Sequence, residues 1–430
     1  MKIYPTTYCM NRALRLQLTR LSSNSTSCYN NIRETDTLSD KHTVNLQNIS
    51  EGSYYNHQNR RRILKGHYSC GRYIQRQHCS SFVDGNISDG LRSTPPWRIL
   101  FFGTDHFSLF TLKCLNENRL QDNGSVVESI EVVTGKEKKS VRCYAEQAGL
   151  EVHNWPIVVQ DGQYDVGVLV SFGSLIPEKV INSFPYGILN VHPSLLPRWR
   201  GASPLVHTIL NGDKETGISI MEIRPKHFDT GPVLIQEKFP VPPDCTTRQL
   251  HNTLGPIGGK MLLKGLYNLP TLERLEVPQS GKEVSYAHKT KPEMTYIDWE
   301  NQTTMSIDRQ YRALHEDFPL KSYYGKILVK LRSMVPVTDQ IDESILYHYG
   351  NTHHNLPPGT PCYGRNSKIC WIKCKDGWVG FREFIIKKKM TASDFYSGYL
   401  INDMYKNNVF TSHKNHLMEG VLDKKMTAAD

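Results

Sequence analysis

Short apolar runs separated by helix-compatible segments dominate the middle of the chain. The first, Arg98-Ile99-Leu100-Phe101-Phe102, ends in Gly103-Thr104-Asp105 and leads into a helix-like stretch through Leu120. Similar runs recur at Val126–Thr134, Val166–Ser171, Ile188–Val191 and Ile218–Ile223. Helix-compatible segments lie around Ser140–Gly149, Pro177–Phe184 and Pro204–Gly212, and a longer one spans Thr246–Asn268. Buried apolar strands alternating with helices predict an α/β domain with a mainly parallel sheet. Ligands of such sheets sit beyond the C-terminal strand ends.

The pattern breaks on both sides of this region. Val277-Pro278-Gln279-Ser280-Gly281-Lys282 reads as a linker, and short runs follow at Ile327–Leu331, Ile369–Lys373 and Gly377–Ile386 between Gly/Pro turns. That predicts a small β-rich domain, expected as a barrel. Residues 40–95 are polar, with Arg60-Arg61-Arg62 and few aliphatics, the composition of a poorly folded leader. The first 33 residues carry Lys2, Arg12, Arg15, Arg20 and Arg33, and no acid precedes Glu34. Basic, acid-free and rich in Ser, Thr and Asn, they have the make-up of an organellar transit peptide and lack the continuous apolar core of a secretory signal. The expected division is a transit peptide and leader at 1–95, a catalytic domain at 96–275, a linker at 276–283, a β-barrel at 284–415 and a tail at 416–430.

Composition narrows the class. Of 430 residues, 38% are hydrophobic, 22% charged and 10% aromatic, which supports ordered cores and argues against a coiled coil. The mean hydropathy is −0.48, and no apolar run reaches membrane-spanning length. The net charge of +10 lies at the ends: 13 basic residues against 6 acidic in 1–95, 18 against 19 in 96–280, and 21 against 17 in 281–430. A neutral middle suits a metabolic enzyme, and a basic last third offers cations to phosphates, although many solvated surfaces carry as much. Of ten cysteines only Cys370 and Cys374 sit close together. They read as same-face neighbours on a strand; no second Cys/His pair at zinc-finger spacing follows, and no metal is expected.

The chemistry concentrates in one segment, Asn190-Val191-His192-Pro193-Ser194-Leu195-Leu196-Pro197-Arg198-Trp199-Arg200-Gly201-Ala202-Ser203-Pro204. It continues the buried run Gly187-Ile188-Leu189, so strand alternation puts Asn190 and His192 on one side and Val191 on the other. An amide donor beside an imidazole suits oxyanion stabilisation and proton transfer. Such a pair alone is commonly just a hydrogen-bonded strand end, but three prolines and Gly201 fix an irregular loop after it, and long rigid loops beyond sheet edges are usually functional. A second segment, His227-Phe228-Asp229-Thr230-Gly231-Pro232, follows the run Ile218–Ile223. Only one Asp-Thr-Gly is present, too few for an aspartic-protease dyad. A single carboxylate near His192 would instead orient the imidazole.

These residues resemble the methionyl-tRNA formyltransferases. The likeness is strong from Arg98 to about Asn268 and rests on Phe102-Gly103-Thr104, Ser171-Phe172-Gly173 before Ile176-Pro177, the unbroken Ser194–Ala202 run and Asp229-Thr230-Gly231. Further on, Ile297-Asp298-Trp299 and Arg309-x-x-Arg312-Ala313 also fit. Two positions depart: Asp105 stands where the family usually has Pro, and Leu314 follows Arg312-Ala313 where Phe is expected. The resemblance implies a Rossmann-like formyltransferase domain followed by an OB-like barrel that binds tRNA. It implies transfer of a formyl group from 10-formyltetrahydrofolate to the α-amino group of methionyl-tRNA, without a metal. Asn190, His192 and Asp229 would be catalytic, and Ser194, Leu195, Leu196 and Pro197 would line the folate site.

Lys136, Lys138, Lys139 and Arg142 follow the run Val126–Thr134, where the family inserts a loop that grips the acceptor end of tRNA; a solvated charged face is the plain alternative. Lys387-Lys388-Lys389 reads as a solvated patch, and Gly258-Gly259 as helix packing. The protein is expected to act as a monomer in the mitochondrial matrix, without a membrane partner, in organellar translation initiation. Two rival functions share these motifs: a folate-dependent formyltransferase for a small amine, and a catalytically inactive tRNA-binding relative.

Overall fold

The computed structural model describes residues 92–137, 140–225, 228–272, 283–338, 340–402, 404–405 and 408–412. Most of the expected leader, linker 276–283 and tail 416–430 therefore lie outside the described residues, as do Lys138, Lys139 and His227. The first domain is a seven-stranded sheet of β1 (Trp97–Gly103), β2 (Val127–Thr134), β3 (Glu151–Asn154), β4 (Val166–Val170), β5 (Ile188–His192), β6 (Glu215–Glu222) and β7 (Val233–Pro240). Its order is β3-β2-β1-β4-β5-β6-β7. The first five run parallel, whereas β6 is antiparallel to both β5 and β7. The helices are α1 (His106–Arg119), α2 (Ser140–Gln147), α3 (Glu178–Asn182), α4 (Pro204–Asn211) and α5 (Thr247–Tyr267).

Both faces of the sheet are covered, which explains the near-continuous apolar runs. Along β1, Trp97, Ile99 and Phe101 enter the core shared with α1 and α5, while Leu100 and Phe102 enter the opposite core with Phe172 and Phe184. Helix α5 lies close to its neighbours because glycines face them. A Cβ at Gly258 would stand 2.8 Å from Val191 Cγ1, and one at Gly259 2.8 Å from Cys114 Cβ. The glycine pair is packing, as its place in a helix predicts. Two strands are absent from the apolar pattern, β3 and β7. Both are edge strands, and β7 buries only its first two residues.

The second domain holds α6 (Thr304–Leu314), β8 (Leu320–Tyr324), β9 (Ile327–Met334), α7 (Glu343–Tyr349), β10 (Pro361–Gly364), β11 (Ile369–Lys373), β12 (Trp378–Ile385), β13 (Lys389–Thr391), α8 (Ala392–Phe395) and β14 (Phe410–Thr411). Its antiparallel sheet runs β10-β11-β12-β9-β8-β14, with β13 on β12. The aromatic core includes Trp299, Tyr324, Phe381, Phe384, Phe395 and Phe410. The ladder itself does not close among the described residues, but Phe410 N–H donates to the Gly359 carbonyl just ahead of β10 (2.8 Å). Gly359 has φ +86°, and a Cβ there would collide with the Phe410 carbonyl, so only glycine serves at this joint. Cys370 and Cys374 are both fully buried in this core.

The domains meet where α6 lies on α4. Ala313 and Leu314 join the first domain's core, and Arg312 donates from Nη1 to the Cys245 carbonyl (2.8 Å) while pairing with Asp308 through Nε (2.8 Å).

Candidate active site

Strand β5 carries Asn190 and His192 on one side, with Val191 turned to α5. The antiparallel partner β6 sets Met221 opposite Asn190 and Ser219 opposite His192. Asp229 arrives on the loop between β6 and β7. Asn190 Nδ2 donates to Asp229 Oδ1 (3.2 Å), and His192 Nδ1 lies 3.8 Å from the same oxygen. Asp229 Oδ2 accepts the backbone N–H of Gly201 (2.9 Å). Asn190, His192 and Asp229 are 5%, 5% and 8% exposed, so their interactions act in a medium less polar than water.

The hydrogen-bond pattern assigns the imidazole tautomer. His192 Nε2 lies 2.9 Å from the Trp199 carbonyl, which only accepts, so Nε2 carries a proton. Nδ1 then faces the carboxylate. Among the described residues Asn190 spends one amide N–H on Asp229, and the second meets no acceptor. Asp229 itself has φ +53°, a left-handed conformation that Asp tolerates better than most residues and that clusters at functional sites. Gly231 follows from close approach: a Cβ there would run into the Glu222 carbonyl.

The loop after His192 is tied down on three sides. Ser194 Oγ donates to the Arg198 carbonyl (2.7 Å), and Ser219 Oγ donates to the Ser194 carbonyl (2.6 Å). Leu196 N–H donates to Ser219 Oγ (3.1 Å), and its carbonyl accepts from Gln236 Nε2 (3.1 Å). Leu196 packs with Met221 and Val233. Ser194 and Leu196 are thus buried and engaged, while Leu195 and Pro197 are half-buried. Farther on, Arg198 forms a two-pronged ion pair with Asp213 (2.6 and 2.8 Å), and Trp199 Nε1 donates to the same carboxylate (2.7 Å). Burial alone would raise the Asp213 pKa, but hydrogen bonds from Arg198, Asn211 and Trp199 prevail and hold it below the ordinary carboxylate range.

The third tie comes from the start of the second domain, which pattern and motif did not reveal. Ser285 Oγ accepts from Trp199 N–H (3.0 Å), the Ser285 carbonyl accepts from Arg200 N–H (2.9 Å), and Ala287 N–H donates to the Arg200 carbonyl (2.7 Å). A Cβ at Gly201 (φ +121°) would stand 2.6 Å from the Ala287 carbonyl. Trp199 is therefore held between Ser285 and His192.

The basic run lies elsewhere. Lys136 is exposed after β2. Arg142 donates to the Gly135 carbonyl (3.1 Å) and to Asn154 (2.6 Å) and pairs with Glu146, so its guanidinium fastens the loop. Three strand spacings separate β2 from β5, about 14 Å. Among the described residues one group has metal-ligand proximity: Glu131, Glu151 and His153 on β2 and β3. There His153 Nε2 lies 2.6 Å from Glu131, which also accepts from Tyr164 (2.5 Å). No described helix is long and apolar enough to cross a membrane.

Known proteins resemble this chain in both domains. The formyl transferase family matches residues 157–266, and the formyl transferase C-terminal domain matches 289–400. The mitochondrial methionyl-tRNA formyltransferase of Mus musculus is 43% identical over 342 residues, covering 77% of this chain and 87% of its own. The chain belongs to the methionyl-tRNA formyltransferases. The mitochondrial relative of Homo sapiens is 44% identical over 314 residues, covering 72% of this chain and 79% of its own. As a methionyl-tRNA formyltransferase the chain accommodates its two departures locally. Asp105 caps α1, accepting from Ser108 N–H (2.9 Å) while Ser108 Oγ accepts from Asp105 N–H (3.0 Å). Leu314, 2% exposed, fills the domain junction.

Proposed function

We propose that the chain transfers the formyl group of 10-formyltetrahydrofolate to the α-amino group of methionyl-tRNA, through Asn190, His192 and Asp229. The observation that carries this is the convergence of the three side chains at the end of β5, on a chain of this family. The folate supplies an activated formyl carbon, so the protein's task is to hold the reactants and stabilise an oxyanion. The free N–H of Asn190 donates to that oxygen. His192, fixed by the Trp199 carbonyl, presents Nδ1 for proton movement, and Asp229 orients Asn190 and the Gly201 backbone and offers an oxygen to the amine's proton. Preorganised donors of this kind are worth ~3 kcal/mol of barrier each.

Leu195 and Pro197, half-buried, would face the folate, while Ser194 and Leu196 would shape the loop that carries them. Lys136, Lys138 and Lys139 would contact tRNA phosphates, and the second domain would share the tRNA. The proposed location is the mitochondrial matrix, in keeping with the mitochondrial relatives and the basic leader, and the working unit is a monomer. The test is formylation by the purified chain, supplied with 10-formyltetrahydrofolate and methionyl-tRNA, followed by detection of formylmethionine. Formylation of glycinamide ribonucleotide or an amino sugar in its place would favour the small-amine reading. No product with any acceptor, from a folded chain that binds tRNA, would favour the inactive relative.

A further inference from the structure

A cavity of about 300 Å³ lies in the second domain, bounded by the start of α6, the segment around α7, and β11 with the turn into β12. Its wall includes His353, Trp371, Lys373 and Trp378. Among the described residues four buried side-chain nitrogens lack a hydrogen-bond partner: Arg309 Nε, His353 Nε2, Trp371 Nε1 and Trp378 Nε1. Three of the four belong to this wall. His353 and Trp378 are 4% and 9% exposed.

Lys373 sharpens the pattern. It is 6% exposed, and its Nζ donates to the Cys374 carbonyl (3.0 Å) with no carboxylate of the described residues within 4.0 Å. Two acids also line the cavity, but each gives an oxygen to a helix start. Asp342 Oδ1 accepts from Ser344 N–H (2.9 Å), and Asp376 Oδ1 accepts from Thr304 N–H (2.8 Å). A buried ammonium with no carboxylate in ion-pair range and two indole donors without acceptors are costly. What is missing is an acceptor-rich anion. His353 Nδ1 lies 2.6 Å from the Gly350 carbonyl, so Nδ1 carries a proton and Nε2 is the ring nitrogen left without a partner. A hydroxyl-bearing anion meets that as well.

We propose that this cavity binds a phosphate group with a free P–OH, either inorganic phosphate or a terminal phosphate monoester. Its oxygens accept from Lys373 Nζ and from the Trp371 and Trp378 indoles, and its hydroxyl donates to His353 Nε2. A phosphodiester lacks that hydroxyl. The RNA source, a 5′-phosphorylated tRNA end, rests on methionyl-tRNA being the acceptor; the inorganic source does not.

The full chain is titrated with potassium phosphate against potassium chloride at constant ionic strength, followed by calorimetry and tryptophan fluorescence. Saturable one-site binding is expected, weakened at least ~10-fold in Lys373→Met, as befits loss of a charge-assisted donor. Should that variant not fold, Trp378→Phe removes one N–H while keeping a ring, and weakening by ~5-fold is expected. The formylation rate at saturating methionyl-tRNA in phosphate-free buffer should be unchanged by either substitution. If phosphate competes with tRNA, and removing the tRNA 5′-phosphate weakens its binding to the wild type but not to Lys373→Met, the RNA end is the ligand. Phosphate binding without such competition makes the free ion the ligand. Absence of saturable phosphate binding, or equal binding by wild type and both variants, overturns the proposal. A chain that binds phosphate yet does not formylate would sink the functional reading and leave this one intact.

Discussion

Asp229 distributes its two oxygens between the Asn190 amide and a loop backbone, while the His192 ring answers to a carbonyl seven residues on. Removing either strand-borne group therefore takes away a donor or proton carrier without emptying the apolar core. Asn190→Ala and His192→Ala should each lower the formylation rate at least ~100-fold, the loss typical of an oxyanion donor. Circular dichroism and the melting temperature should stay near wild type; near-normal turnover in either variant would remove that residue from the mechanism. The thiols stand apart from the chemistry. Burial pushes Cys362 up to about 12 and Cys374 up to about 11, so both stay protonated at neutral pH and should resist alkylation by iodoacetamide in the folded chain.

Among the elements, the His192–Pro204 loop is positioned by what grips it. Ser285→Ala deletes the acceptor of Trp199 N–H and so loosens the carbonyl that fixes His192. One such hydrogen bond is worth ~1 kcal/mol, and the expected outcome is a several-fold fall in kcat with KM for the folate less affected; a change in melting temperature alone would reduce Ser285 to a structural tie. The Asp213 pair makes a pH prediction. Its folded pKa is depressed, so its stabilisation is present above the unfolded value of about 3.9 and is lost as pH falls through the lower folded value. The melting-temperature gap between wild type and Asp213→Asn should hold from neutrality to pH ~5 and close below ~4; a gap independent of pH would remove the charge from the explanation. Much of this frame was legible beforehand. β1, β4 and β5 show as apolar runs because both faces are buried, and Asn190 and His192 share a side because strands alternate. β3 and β7 escaped detection as exposed edges, and the Ser285 contact escaped because it joins residues 86 positions apart. That Asp229 lies beside His192 does not follow from spacing, which does not fix where a loop lands.

At the scale of the whole molecule the two domains meet on α4 and α6, with Arg312 bonded to the Cys245 carbonyl, so a tRNA held by the second domain has a defined relation to β5. The basic loop after β2 is the proposed contact on the catalytic side, and its four cations are not equivalent. Lys136 is exposed, whereas Arg142 has a 12% exposed side chain bonded to Gly135, Asn154 and Glu146. Replacing Lys136, Lys138 and Lys139 by Ala should weaken tRNA binding and flatten its salt dependence, each lost phosphate contact lowering the log–log slope by ~0.7–0.9. The KM for methionyl-tRNA should rise while that for the formyl donor stays put, because β2, which leads into this loop, lies three strands from β5. Arg142→Gln should behave differently, lowering the melting temperature through the freed Gly135 and Asn154 groups and leaving the salt slope near wild type. An unchanged slope in the triple lysine variant would make the run a solvated face and move the tRNA footprint to the second domain. A slope lowered by Arg142→Gln as much as by the lysines would mean that the guanidinium exchanges its internal partners for phosphate when tRNA binds.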